Sequence, residues 1–159
     1  MNAIDLIKAQ HERIAELGRA LRCADPTRRG GLLRQLERVI EAHSEMEENL
    51  FYPLFDTASS HEALLQYAED HRRLRVLLLA ADHAGVSSPQ FERSISQVMA
   101  AFAEHAYGEE EARLLPLVEK RLGVVQLHVL GSEMLALYSE LVEQPIEMNL
   151  ESEARHPNL

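Results

Sequence analysis

The hydrophobic positions fall into four long stripes spaced three and four residues apart, the repeat of one face of an α-helix. Ile4, Ile7, His11, Ile14, Leu17 and Leu21 predict an amphipathic helix over residues of about 2–23. Asp25-Pro26 stops it, and Arg28-Arg29-Gly30-Gly31 reads as connector. Leu32, Leu36, Val39 with Ile40, His43, Met46 with Glu47, and Leu50 mark a second helix. It runs to Pro53 or a little beyond, because proline cannot donate the helical hydrogen bond. Ser59 with Glu62 three residues on makes a capping-box pattern that opens a third helix. Its stripe is Leu64, Tyr67, His71, Leu74 and Leu78, fading at Gly85. Ser88-Pro89 supplies an N-cap and a first-turn proline for a fourth helix. That helix carries Phe91, Ile95, Val98, Phe102, His105 and Glu109 and ends near Pro116 or Gly123. Val125 to Val142 predict a fifth, shorter helix with Gly131 as its weak point, and the polar segment from Gln144 to Leu159 reads as a flexible tail.

Four antiparallel helices with short connections make an all-α, up-down-up-down four-helix bundle. The expected organisation is a metal-binding bundle over residues 1–122, an additional C-terminal helix over 123–143 and a tail over 144–159. Each main stripe holds a histidine where the pattern calls for an apolar residue: His11, His43, His71 and His105. At 1.5 Å of rise per residue, the legs between each histidine and the next turn nearly cancel, each being roughly 15–25 Å, so all four imidazoles should meet at one depth. The chain also repeats itself. His11 and His71 lie about 60 residues apart, as do His43 and His105, and in each hairpin the second histidine is followed four residues later by a glutamate, Glu47 or Glu109. On a helix those two side chains leave the same face one turn apart.

Composition narrows the chemistry. At 159 residues and 46% hydrophobic, the chain suits one domain with a sizeable core. The net charge of -10 disfavours nonspecific nucleic-acid binding and attraction to anionic membranes. There is no run long enough to span a bilayer, no secretory signal, no phosphate-binding glycine loop and no nucleophile elbow. The single cysteine, Cys23, makes no internal disulfide, has no base beside it and fits a reducing compartment, so a cytoplasmic location is expected.

Four imidazoles and two carboxylates are too many ligands for one tetrahedral zinc. A mixed nitrogen and oxygen set with two carboxylates able to bridge suits a pair of octahedral-leaning ions. Iron or manganese is favoured over calcium, which takes oxygen, and over copper(I), which takes sulfur. The fourth-helix carboxylate has two candidates. Aligning the halves by histidine pairs Glu47 with Glu109; aligning them by Pro53 and Pro116 pairs Glu47 with Glu110. Glu109 is the reading adopted, with Gly108 able to permit a π-bulge.

These residues resemble the haemerythrin-like HHE cation-binding domain family, whose pattern is His on the first helix, His-x3-Glu on the second, His on the third and His-x3-Glu on the fourth. The match covers residues of about 2–122 and includes the aromatic-proline run Leu50-Phe51-Tyr52-Pro53. The resemblance implies a non-haem di-iron centre of two iron ions, manganese being less favoured. It would put His11 and His43 on one iron and His71 and His105 on the other, with Glu47 and Glu109 bridging. The chain departs from the oxygen-carrying haemerythrins, which have His-x3-His on the third helix and His-x4-Asp on the fourth. Here Tyr67 stands four before His71 and Arg75 four after it. Fewer histidines leave more open coordination positions, which suits reaction with peroxide or nitric oxide better than reversible oxygen carriage.

The expectation is therefore a protein that binds, senses or detoxifies a small redox ligand: oxygen, nitric oxide or peroxide. Turnover, a protein partner and a homo-oligomer are left open. The alternative is an iron-dependent regulatory module whose fold responds to metal. Glu45, Glu48, Glu110 and Glu111 read as surface glutamates, Tyr67 as core, Arg75 as surface, and His61, His83, His128 and His156 as ordinary surface residues.

Overall fold

The first helix begins where Asn2 caps it: the Asn2 side chain accepts the Asp5 backbone N–H at 2.9 Å, and α1 spans Ala3–Cys23. The structure, a computed structural model, describes residues 1–143, so the expected tail over 144–159 lies outside it.

The second helix, α2 (Pro26–Met46), starts earlier than the glycines suggest. Asp25 accepts the Thr27 backbone N–H at 3.0 Å and Pro26 occupies the first turn. A proline with its fixed φ beneath an aspartate cap outweighs two poor helix formers. Arg28 to Gly31 are thus helical, and the connector is Ala24-Asp25. Arg29, in this corrected turn, donates to the carbonyls of Ala24 and Val86, both at 3.1 Å, and pairs with Glu92 at 2.9 Å. It ties the start of the second helix to the far end of the other hairpin.

After Met46 the helix widens into a π-helical segment, Glu47–Phe51, and then tightens to a 3₁₀ turn, Tyr52–Phe55, around Pro53. The third helix, α3 (His61–Ala84), is capped at Ser60, not Ser59. The Ser60 hydroxyl donates to the Phe55 carbonyl, so it serves the turn and the Ser59–Glu62 capping box does not form. Gly85, at φ +83°, ends α3 in a conformation that favours glycine. Ser88 accepts the Gln90 backbone N–H at 3.2 Å, and α4 (Gln90–Ala103) follows. It runs directly into an eleven-residue π-helical segment, Glu104–Leu114, and then α5 (Leu115–Arg121). The last described helix, α6 (Val124–Glu143), includes the expected fifth helix.

The four long rods pack α1 on α2, α2 on α3, α3 on α4 and α4 on α1, and α6 lies against α1, α2 and the Glu47–Phe51 segment. No strand occurs among the described residues, and no helix among them is long and apolar enough to cross a membrane. Gly131, expected as a weak point, is a contact. A Cβ there would stand 2.6 Å from the Met1 carbonyl oxygen, so α6 crosses the chain's first residues at backbone distance.

Two apolar clusters fill the bundle. Along every rod a ligand-type histidine separates them. His11 lies between Ile7 and Ile14, His43 between Ile40 and Met46, His71 between Tyr67 and Leu74, and His105 between Phe102 and Leu114. The histidines therefore share one layer, as their spacing implies.

Candidate metal centre

Each of the four long rods contributes to a fully enclosed polar layer. His11 from α1, His43 from α2, His71 from α3 and His105 from the second π segment are all no more than 2% exposed, and Glu47 and Glu110 are at 0%. Burying six such groups is costly unless their polar atoms are satisfied. They form two overlapping quartets, His11, His43, Glu47 and Glu110, and Glu47, His71, His105 and Glu110. In each, one ligand atom per residue lies within 4.8 Å of the others. The two glutamates belong to both quartets.

At the fourth-helix carboxylate the structure brings Glu110 into the cluster and leaves Glu109, the residue expected there, outside it. Glu109 is 37% exposed in its side chain and lies 3.6 Å from Arg113. The reason is the backbone. His105 and Glu110 both sit within the π-helical segment Glu104–Leu114. A π turn holds about one residue more than an α turn, so five residues bring a side chain back to the face that four reach in α2, where His43 and Glu47 are one regular turn apart. The alignment on Pro53 and Pro116 anticipates this; the alignment on the histidines does not.

All four imidazoles are oriented the same way. Each Nδ1–H donates outward: His11 to Glu111 at 2.7 Å, His43 to the Gln10 side-chain oxygen at 2.7 Å, His71 to Glu48 at 2.8 Å and His105 to Asp70 at 3.3 Å. An acceptor on Nδ1 selects the tautomer that leaves a lone pair on Nε2. The four Nε2 atoms converge. His71 Nε2 and His105 Nε2 stand 2.9 Å apart, His11 Nε2 is 3.1 Å from Glu110, and His43 Nε2 is 3.3 Å from Glu47. Lone pairs and carboxylate oxygens at such distances repel unless a proton or a cation lies among them. His43 Nε2 and Glu47 Oε1 are in fact buried with no hydrogen-bond partner. Orphaned donor atoms of this kind, in a nitrogen and oxygen set, fit a pair of borderline-hard divalent ions.

The electrostatics divide the cluster: for His11 burial acts downward, but the hydrogen bond and charge of Glu110 outweigh it and raise the imidazole. Burial, then the neighbouring His11, holds the His43 imidazole well below its ordinary pKa, which keeps it a neutral donor. Burial and Glu110 push the Glu47 carboxyl up. For Glu110 burial acts upward too, but the imidazoles of His105 and His11 outweigh it and hold the carboxyl low.

The sequence reading missed Tyr52. Its buried hydroxyl touches both shared carboxylates, reaching Glu47 Oε2 at 3.0 Å and Glu110 Oε1, and its ring stacks on His71 with centroids 5.8 Å apart. Burial and the two carboxylates raise its pKa well above the ordinary phenol value, so it stays protonated. Tyr67 is core, packed edge-on to His105 at 5.7 Å. Glu48 and Glu111, expected at the surface, are half-buried partners of His71 and His11. Position immediately after each shared glutamate was the available signal for them; Tyr52 had only its place beside Pro53.

Comparison with known proteins accords with this geometry. No curated protein matches the chain. A crystal structure of a hemerythrin HHE cation binding domain-containing protein from Mycobacterium kansasii superposes with a TM-score of 0.79 and 23% identity, covering 89% of this chain and 88% of that one, which shows a common fold. The family described as Hemerythrin HHE cation binding domain matches residues 2–118, the whole of the four-rod bundle that holds the His/Glu layer. The chain therefore belongs to the hemerythrin HHE cation-binding domain family.

Proposed function

We propose that the protein is a non-haem di-iron protein that binds, senses or detoxifies a small redox ligand, oxygen, nitric oxide or peroxide. The observation that carries this reading is the pair of quartets sharing Glu47 and Glu110. His11 and His43 would hold one ion, His71 and His105 the other, and the two glutamates would bridge them. Each ion would then draw two imidazoles and two shared carboxylates from the protein, fewer than an octahedral ion takes, leaving room for a small ligand. Iron bound there would supply one-electron redox chemistry at open coordination positions. The protein's own part is threefold. The apolar clusters on either side exclude water, the outward Nδ1 bonds fix ring orientation, and the Tyr52 phenol, kept protonated, can donate a hydrogen bond to a small ligand beside the carboxylates.

The alternative, a regulatory module whose fold responds to iron, is supported by a different observation: α6 packs on the Glu47–Phe51 segment that carries a shared carboxylate. Loss of the ions would leave Glu47, Glu110 and the imidazole lone pairs opposed, and α6 would feel that change.

The test is metal analysis with an ultraviolet–visible spectrum after anaerobic ferrous loading and exposure to oxygen. About two irons per chain with near-ultraviolet charge-transfer bands are expected for a helical di-iron site. Failure to retain iron after reconstitution overturns both readings. Fast bleaching or oxidation by peroxide with a stable apo fold favours the first, and a large fall in Tm on chelation favours the second.

A further inference from the structure

The outer hydrogen bonds repeat with the two hairpins, apart from one substitution. The residue before each lone histidine supports the histidine of the following rod: Gln10 accepts from His43, and Asp70 accepts from His105. The residue after each shared glutamate supports the lone histidine of the other hairpin: Glu48 accepts from His71, and Glu111 accepts from His11. The His71–His105 half is thus backed by two carboxylates, and the His11–His43 half by one carboxylate and one amide. The amide is buried, with Gln10 4% exposed and its nitrogen 3.5 Å from Met46 Sδ, which turns its oxygen toward His43.

A carboxylate on Nδ1–H makes the imidazole a stronger donor through Nε2 than a neutral amide does. Arg75 stands 3.7 Å from Glu48 but is bonded to Glu41 at 2.8 Å, so it screens Glu48 only in part. A groove of about 320 Å³ between the third and fourth rods is lined by Tyr67, Asp70, Arg73, Glu104, His105 and Glu109, and it reaches the His105 side of the layer. Three carboxylates against one guanidinium make that groove attractive to a cation.

Resting on the di-metal reading above, we propose that the two halves are unequal cation sites. The His71–His105 half takes the first divalent ion tightly, the His11–His43 half takes the second weakly, and Gln10 and Asp70 are the positioning residues that set the difference.

The metal-free protein would be titrated anaerobically with ferrous ion and followed by calorimetry. Two steps are expected, the first tighter by about tenfold or more. H105A should abolish the tight step and leave a weak one, and H43A the reverse. D70N should weaken the first step by about 10–100-fold, the usual cost of altering an outer partner. Q10E should strengthen the second and close the gap, with circular dichroism verifying that each variant is folded. Two equal steps in the unaltered protein, loss of the tight step in H43A, or an unchanged gap in folded Q10E would each overturn the inequality while leaving the di-metal reading intact. No ferrous binding by the unaltered protein would overturn that reading, and this proposal with it.

Discussion

The two apolar clusters on either side of the His/Glu layer are built in different ways. The one containing Ile14, Leu36, Leu74, Ile95 and Phe102 is built almost wholly from regular α-helix on all four rods, with Ala106 its one buried residue from a π segment. The other, containing Ile7, Met46, Phe51, Phe55 and Leu114, is walled by two π segments, a 3₁₀ turn and the crossing helix α6. Regular helix needs only an apolar stripe. Bringing Glu110 inward beside His105 needs irregular backbone, and the last described helix covers the core where the irregular segments lie. Stability and site geometry are thereby divided between the two ends.

The largest effect should come from the regular end. Leu36 is fully buried there, and L36A should cost about 2–5 kcal/mol through lost burial and the cavity left behind. Denaturant unfolding should show that loss equally with and without metal. An effect confined to the metal-loaded protein would break the division. Next comes the irregular end. E110Q should weaken iron binding by at least about 100-fold, more than an outer-partner change costs, and should lower the apo Tm as well, because the carboxyl that the His105 and His11 imidazoles hold low is gone. E109Q should retain iron, as read by metal analysis; retention by E110Q and loss by E109Q would reverse the assignment.

Two glycines sharpen the comparison at smaller magnitude. At Gly131 a Cβ meets backbone of Met1, Asn2 and Ala3, so G131A should cost about 1–3 kcal/mol despite alanine's better helix propensity. At Gly18 the obstacle is the Met99 side chain, which can swing aside, so G18A should change stability by less than about 1 kcal/mol. Thermal unfolding of both variants would check this.

The smallest effect concerns pH. Half-buried Glu37, facing Asp82, has its carboxyl pushed up to about 7, chiefly by burial. The folded state thus favours the protonated form. Stability is unaffected below the ordinary value of 4.5, falls as pH rises from there to about 7, and stays reduced above it. E37Q should be more stable than the unaltered protein at pH 8 by about 1 kcal/mol, after allowance for solvent screening, and equal to it at pH 4. A gain that persists at pH 4 would sink this account.

The chain's own pattern decided a good deal. The 3-4 stripes specify four long helices because burying one face is the main thing a helix in a bundle must do. The rise between His11, His43, His71 and His105 sets their common depth, because 1.5 Å per residue is a property of the helix whatever surrounds it. Ser88-Pro89 marks a helix start through local hydrogen bonding, and Asp25-Pro26, read as the stop of the first helix, caps the second by the same means. What only the tertiary structure decided are matters in which a local preference is overruled from a distance. The π segment that brings in Glu110 rather than Glu109 is not specified locally, since a π turn is poor on its own and persists because packing and the polar layer hold it. The inward Tyr52 depends on the 3₁₀ turn around Pro53 meeting a carboxylate from another rod. The outer partners Gln10, Glu48, Asp70 and Glu111 each support a histidine on a different rod, a relation set by which rods adjoin, which no spacing along one helix encodes.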